Sequence, residues 1–126
     1  MTEQALHQRS AYDVIADHLW LRQQKALEED LRRNYHPQVV LLSAEGVSYG
    51  HDGVRALTHV LRSYVPEADY RYHQIVVEGP YAMVEWTARG SQTEIHNGAD
   101  SYVISNGRII AQTIHYSTRS RPGQDS

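Results

Sequence analysis

The stretch of sequence that decides the fold is ADSYVISNGRIIAQTIHY, residues 99–116. In its middle, Asn106 and Gly107 separate two runs in which apolar side chains recur. Asn-Gly is the strongest short-range signal for a two-residue type I′ turn, because both central residues need a positive φ and these residue types adopt it at least cost. The pair therefore predicts a β-hairpin in which Ser105 lies opposite Arg108.

Counting outward from this turn predicts which side chains share a face of the hairpin. Asp100 then pairs with Thr113, and one face carries Asp100, Tyr102, Ile104, Ile109, Ala111, Thr113 and His115. A carboxylate, a phenol and an imidazole therefore lie among aliphatic side chains. Such a face is typical of a polar-lined cavity or of an ordinary half-exposed sheet, and both interpretations stay open at this point.

Composition limits the classes of protein to which the chain can belong. Its 126 residues suffice for one domain, and its net charge of −3 offers no basic stripe for phosphates, so we expect no nucleic-acid partner. Cysteine is absent, which excludes disulfides and thiolate metal sites and is compatible with a cytoplasmic protein. No apolar run has the length of a signal-peptide core or a membrane span, so we expect no membrane association.

Motifs for cofactors are missing from the sequence as well. It contains neither a glycine-rich phosphate loop nor a Gly-x-Ser-x-Gly elbow, and its eight histidines form no His-x-His or His-Glu-x-x-His pattern. We therefore expect no cofactor and no metal ion. Nine tyrosines and no phenylalanine indicate either amphipathic packing or a tyrosine-lined pocket.

Hydrophobic periodicity predicts helices first and a long run of strands afterwards. A capping signal at Ser10 starts a helix near residue 11, and its apolar stripe continues to Pro37, as one helix or as two with a bend near Trp20. A further helix runs from Asp52 to Tyr64. Strands are predicted over residues 39–42, 46–49, 70–78, 81–89, 91–95, 101–105 and 108–117.

This order of elements predicts an α+β fold. The N-terminal helices cover one face of a curved antiparallel sheet. We expect residues 11–118 to form a single domain, and residues 1–10 and 119–126 to be disordered.

Four stretches carry a resemblance to a known superfamily: NYHPQVVLL (34–42), GHDGVR (50–55), EWT (85–87) and DSYVISNGRI (100–109). Together with the order of elements they resemble the nuclear transport factor 2-like, or cystatin-like, superfamily, and within it the SnoaL-like polyketide cyclase branch. The resemblance implies a cone-shaped curved sheet whose concave face the helices close around a pocket, commonly in a homodimer. Members of the superfamily include cyclases, isomerases, dehydratases and modules that only bind, so the fold alone does not name the chemistry.

The resemblance also points to site residues. Asp100 has a spacing similar to that of the oxyanion-stabilising aspartic acid of ketosteroid isomerases. The position of the isomerase base, just after the first strand, holds Ser43, and Glu45 is the nearest carboxylate. SnoaL-like cyclases carry an aspartate base on the final strand, whereas residues 113–116 offer only His115 for that role, because imidazole titrates near neutral pH.

The strand predicted over residues 81–89 has two candidate inner faces. Its apolar face, which includes Trp86, ordinarily faces the core, but in a dimer of this fold Trp86 can pack against the partner while Glu85 lines the cavity. We therefore keep Glu85 as a third catalytic candidate beside Asp100 and His115. The candidates for binding a substrate ring are aromatic, with core packing as the alternative for each: Tyr12, Tyr35, Tyr49, Trp86 and Tyr102.

Three functional hypotheses follow from the sequence. The first is a cofactor-independent cyclase, isomerase or dehydratase that moves a proton on a small apolar carbonyl or polycyclic, polyketide-like substrate, with Asp100 and His115 as acid and base. The second is a dimeric binding or accessory module that uses the same pocket without chemistry. The third is an interaction protein that only dimerises, through an open sheet face with Val103, Ile110 and Ile114.

Overall fold

Four helices and six strands make up the part of the chain that the computed structural model describes, residues 2–66 and 69–121. The helices are α1 (Glu3–His7), α2 (Ala11–Gln23), α3 (Leu27–Asn34) and α4 (Gly50–Tyr64). The strands are β1 (Tyr35–Ser43), β2 (Gly46–Tyr49), β3 (Asp69–Glu78), β4 (Tyr81–Arg89), β5 (Thr93–Ser105) and β6 (Arg108–Ser120). None of the helices within these residues is both long and apolar enough to cross a membrane.

The strands form one curved sheet in the order β2-β1-β6-β5-β4-β3, with the helices on its inner face. The predicted α+β class is confirmed. One pairing differs from the antiparallel expectation, because β1 and β6 run parallel while the other neighbours are antiparallel. Parallel pairing is possible here because the long connection through α4 and the meander separates the two strands in sequence.

The stretch before Pro37 forms two helices, which answers the question that the apolar stripe left open. Ser10 caps α2 by accepting a hydrogen bond from the backbone N–H of Asp13 at 3.1 Å. The helix ends at Gln23, and Lys25 then adopts a φ of 57°, which reverses the chain into α3. Two antiparallel helices with facing apolar stripes result, and both stripes pack on the sheet.

The N-terminal segment and the end of β6 differ from the expected disorder. Residues 3–7 form α1, and its Leu6 is fully buried. The carbonyl oxygen of Leu6 lies so close to Gly107 that a Cβ at this position would clash with it. Arg9 donates to the carbonyl oxygen of Gly107 at 2.8 Å and so ties this segment to the hairpin turn. At the other end, β6 continues to Ser120, and residues 122–126 of the expected tail lie outside the described residues.

Two β-bulges decide which side chains face the helices. The first, at Asn97 and Gly98, joins the two strands expected over 91–95 and 101–105 into the single strand β5, although the sequence indicated a turn there. The second leaves Ile110 unpaired, so that Ile104 still pairs with Ile109, as predicted, but Val103 pairs with Ala111. From Ala111 onward the predicted register is therefore wrong by one residue, and Asp100 pairs with Ile114 instead of Thr113.

The buried apolar side chains form two clusters between the helices and the sheet. The larger one joins α2, α3 and β1 to the strands of the hairpin and includes Ile15, Leu31, Val39 and Ile109. The smaller one lies where α4 ends and includes Leu61 and Trp86.

Candidate functional site

A cavity of about 220 Å³ lies between the two core clusters. Its wall takes apolar side chains from β1 and α4, such as Leu41 and Val54, and polar ones from α2, β5 and β6. Exposed lining residues, including Glu45, Tyr64 and His115, mark the end at which the cavity opens to solvent. An apolar enclosure with a few convergent polar groups is the usual form of a small-molecule site.

Asp100 is the buried carboxylate of this cavity wall. Its Oδ1 accepts the indole N–H of Trp86 at 3.0 Å, and its Oδ2 accepts the Gln112 side-chain amide at 3.1 Å and the Tyr102 hydroxyl at 3.3 Å. An ionised carboxylate offers about four acceptor positions. Three donors therefore hold the group in place and leave about one position for a ligand.

Burial and hydrogen bonding act on Asp100 in opposite directions. Desolvation raises the pKa of its carboxyl group, and the hydrogen bond from Trp86 and the nearby charge of Arg22 offset only part of that effect. The pKa of Asp100 therefore lies above its ordinary value. A carboxyl group with a raised pKa can both take up and release a proton under conditions closer to neutrality.

A second buried polar pair, His18 and Asp30, is connected to Asp100 through Tyr102. The Tyr102 hydroxyl lies 3.2 Å from Nε2 of His18, and Nδ1 of His18 lies 2.8 Å from Oδ2 of Asp30. Asn34 donates to Oδ1 of Asp30 at 2.8 Å and fixes that carboxylate. A continuous hydrogen-bonded chain thus runs from Asp30 to the cavity wall, and His18 and Asp30 are each only 1% exposed.

Sequence analysis missed His18 and Asp30, although helical spacing contains the signal. His18 follows Val14 by four residues on the apolar stripe of α2, and Asp30 follows Leu27 by three on that of α3. Two polar side chains on facing apolar stripes need each other as partners, because a buried polar group without one is costly. Pairing the two stripes would have predicted their contact.

Tyr35 and Gln112 complete the polar part of the wall. The Tyr35 hydroxyl donates to Oε1 of Gln112 at 2.5 Å, and the same amide donates to Asp100. Burial raises the pKa of Tyr35 well above its ordinary value, as it does for Tyr102. Both phenols therefore stay protonated and act as hydrogen-bond donors.

The bulge in β5 positions the indole of Trp86. A Cβ at Gly98 would lie 2.6 Å from the Trp86 ring atoms Cδ2 and Cε2, so glycine alone lets the ring lie against the strand. The ring is buried, lines the cavity and donates to Asp100. Trp86 therefore faces the cavity, as the ordinary interpretation of its strand predicted.

The structure brings some of the predicted site residues together and not others. Asp100, Tyr35, Trp86 and Tyr102 form one network, and Ser43 and Glu45 lie in the cavity wall after β1. Four candidates lie outside the cavity lining. Tyr102 is buried and contacts Asp100, Glu85 is exposed on the outer face, Tyr12 is 57% exposed on α2, and Tyr49 is 68% exposed on β2.

His115 does not share a face with Asp100, contrary to the predicted register. It pairs with Ala99, so the pleat directs its side chain to the face opposite that of Asp100 and Ile114. The cause is the unpaired Ile110, which advances β6 by one residue. His115 is exposed and lies only at the rim of the cavity.

Within residues 2–66 and 69–121, no group of three or more histidine, aspartate or glutamate side chains is arranged to hold a metal ion.

Comparisons with known proteins show that other proteins share this fold. IdmH from Streptomyces antibioticus, for which a polyketide cyclase activity has been suggested, superimposes with a TM-score of 0.71 at 16% identity, over 86% of this chain and 93% of that one. TerC co-crystallised with polyporic acid gives a TM-score of 0.71 at 15% identity, over 85% and 91%. Another suggested polyketide cyclase, from Sinorhizobium meliloti, gives 0.64 at 16% identity, over 82% and 94%.

These structures share the fold at low identity. No curated protein matches the sequence. The family model of the SnoaL-like domain, in contrast, matches residues 12–112, which span most of the helices and the sheet. The chain belongs to the SnoaL-like family.

Proposed function

We propose that the protein is a cofactor-independent enzyme that moves a proton on an enolisable carbonyl compound, in the manner of a cyclase, isomerase or dehydratase, with Asp100 as the group that carries the proton. The observation that supports this most is the carboxylate of Asp100, buried in a cavity wall and held by three donors. A cavity that only enclosed an apolar ligand would have no need of a desolvated acid.

The proposed step uses the raised pKa of Asp100. The ionised carboxylate takes a proton from the carbon next to the ligand carbonyl, and the electrons of that C–H bond form the enolate. Trp86, Tyr102 and Gln112 hold the carboxylate in place while its charge changes, so that little reorganisation accompanies the transfer. Asp100 then returns the proton to another atom of the ligand.

Neither His115 nor Glu85, the other two predicted catalytic residues, carries the transferred proton in this proposal. His115 at the rim can act only on a portion of the ligand that extends to the opening. Glu85 has no part, because its carboxylate lies on the outer face of the sheet.

The size and lining of the cavity favour a small apolar ligand. A volume of about 220 Å³ between Leu41, Val54 and Trp86 accommodates a compact ring system. The fold that the chain shares with TerC, crystallised with polyporic acid, and with the suggested polyketide cyclases supports a polyketide-like carbonyl compound as the substrate class.

Deuterium exchange into a simple carbon acid tests this proposal. The probe is 2-tetralone, a bicyclic ketone, whose C1 protons are followed by proton NMR in D2O. We expect the wild-type protein to accelerate the exchange over buffer, and Asp100→Asn to lower the protein-catalysed rate by about 10²- to 10⁴-fold. The matched control is Glu85→Gln, which removes an exposed carboxylate and should keep the wild-type rate.

The same experiment separates catalysis from binding. In a Trp20→Phe background, Trp86 is the one remaining tryptophan, and its fluorescence reports on ligand binding. Binding of 2-tetralone with no exchange beyond that of buffer would favour the non-catalytic accessory module instead. Exchange that is equally fast in Asp100→Asn would contradict the role of Asp100, and failure of the ketone to bind would contradict the ligand class.

We further propose that the protein forms a homodimer through the outer face of the sheet. Large apolar side chains are exposed on neighbouring positions there, among them Leu42 and Val47, which pair across β1 and β2. Such a patch is typical of a protein interface.

A further inference from the structure

Arg22 introduces a positive charge into the wall of the cavity. It follows His18 by one helical turn on α2 and lies among Tyr35, Trp86 and Asp100 in the lining. Its guanidinium carbon is 5.9 Å from the centre of the Tyr70 ring, a residue of the neighbouring pocket that Arg22 also lines. In the described lining of the cavity, no other arginine or lysine is present.

The hydrogen bonds described for the site do not involve the positive charge of Arg22. The charge of Asp100 acts on Arg22, but the oxygens of Asp100 accept from Trp86, Tyr102 and Gln112. Within residues 2–66 and 69–121, the Arg22 guanidinium lies over the Tyr70 ring and makes no hydrogen bond or ion pair. A half-buried cation that lines a cavity and has no hydrogen-bonded anion of its own favours an anionic group there.

We propose that Arg22 forms an anion subsite, so that the ligand carries a carboxylate on its apolar ring body. A planar carboxylate matches the fork of the guanidinium, which can donate two parallel hydrogen bonds. Because Arg22 is the one arginine or lysine in the described lining, the wall suits a singly charged group better than a phosphate. The inference rests on the proposed function only in taking this cavity as the ligand site, and it narrows the substrate class to acidic carbonyl compounds.

A pair of probes that differ only in charge tests the subsite. The ligands are 2-naphthoate and 2-naphthamide, which have nearly the same shape, and binding is followed by quenching of Trp86 fluorescence in the Trp20→Phe background. We expect 2-naphthoate to bind about tenfold more tightly than the amide, as one charge-assisted hydrogen-bonded pair would give. Arg22→Gln should abolish this preference without weakening the binding of 2-naphthamide, and Arg22→Lys should keep part of it.

Arg62→Gln provides the matched control, because Arg62 lines only the neighbouring pocket behind Arg22 and should keep the full preference. Equal binding of the two probes to the unmodified site would overturn the subsite, as would an Arg22→Gln variant that weakens both probes alike. A wild-type site that shows no preference while 2-tetralone still exchanges would count against the subsite alone. An intact preference without exchange would count against the proposed function alone.

Discussion

The carboxyl group of Asp100 is both buried and hydrogen-bonded. Its carboxylate is surrounded by the indole of Trp86, the phenol of Tyr102 and the amide of Gln112, each of which donates to it. These donors favour the ionised form, but desolvation outweighs them and raises the pKa. The folded protein therefore holds a proton on Asp100 at a pH at which the unfolded chain has released it.

This difference predicts a pH dependence of stability. A raised folded-state pKa contributes stability that is complete below the ordinary value of 3.8 and is lost as the pH rises through the folded-state pKa of Asp100. The free energy of unfolding of the wild type, relative to that of Asp100→Asn, should therefore fall from about pH 4 upward. Urea unfolding of both proteins at a series of pH values measures the difference. A difference that stays level or rises with pH would contradict the raised pKa.

The hairpin shows which residues of the site sequence could predict. Asp100, Tyr102 and Ile104 were assigned to one face correctly, since they lie on β5 after its bulge at Asn97 and Gly98 and keep strict alternation. The assignment of Thr113 and His115 to that face was wrong, because the bulge at Ile110 shifts β6 by one residue and no residue type marks it. The sequence did not indicate Arg22 as a site residue, because a cation on an otherwise apolar helical stripe ordinarily lies at the solvent-exposed edge of that stripe.

At the scale of elements, α2 and α3 are joined by a buried polar pair. His18 and Asp30 lie on facing apolar stripes, and their contact at 2.8 Å is sealed by Asn34. The helix pair is therefore specific in register, because sliding one helix would leave a buried carboxylate without its imidazole. Strand boundaries were easier to predict than this contact: β4 begins and ends where its alternation does.

A double-mutant cycle tests the pair. His18→Leu leaves the Asp30 carboxylate buried with Asn34 as its remaining partner and should destabilise the protein by about 3–5 kcal/mol. Replacing both residues, as His18→Leu with Asp30→Leu, should destabilise it by less than the sum of the single changes, with a coupling of about 0.5–3 kcal/mol. Urea unfolding of the four proteins gives the free energies. Additive effects would show that the two side chains are energetically independent.

The whole molecule is a sheet that the helices cover on one side only. The inner face holds the core and the cavity, whereas the outer face exposes Leu42, Val47, Tyr49 and Tyr81. The low mean hydropathy of the chain, −0.58, makes this concentration of apolar surface notable. Because a two-fold axis would place the same patch of each copy in contact, a single apolar face suffices for a dimer.

Like charges introduced at this face should therefore separate the two copies. Leu42 and Val47 are paired neighbours, and replacing both with glutamate places like charges across the two-fold interface, where they would also lose hydration. We expect sedimentation velocity to show a dimer for the wild type and a monomer for Leu42→Glu with Val47→Glu. Tyr12→Glu, a change at an exposed aromatic on α2 away from the sheet, is the control and should remain dimeric.

A wild type that sediments as a monomer at about 100 μM, well above the micromolar dissociation constants of weak specific interfaces, would contradict the dimer. A monomeric double variant that still exchanges 2-tetralone would further show that each cavity works without its partner.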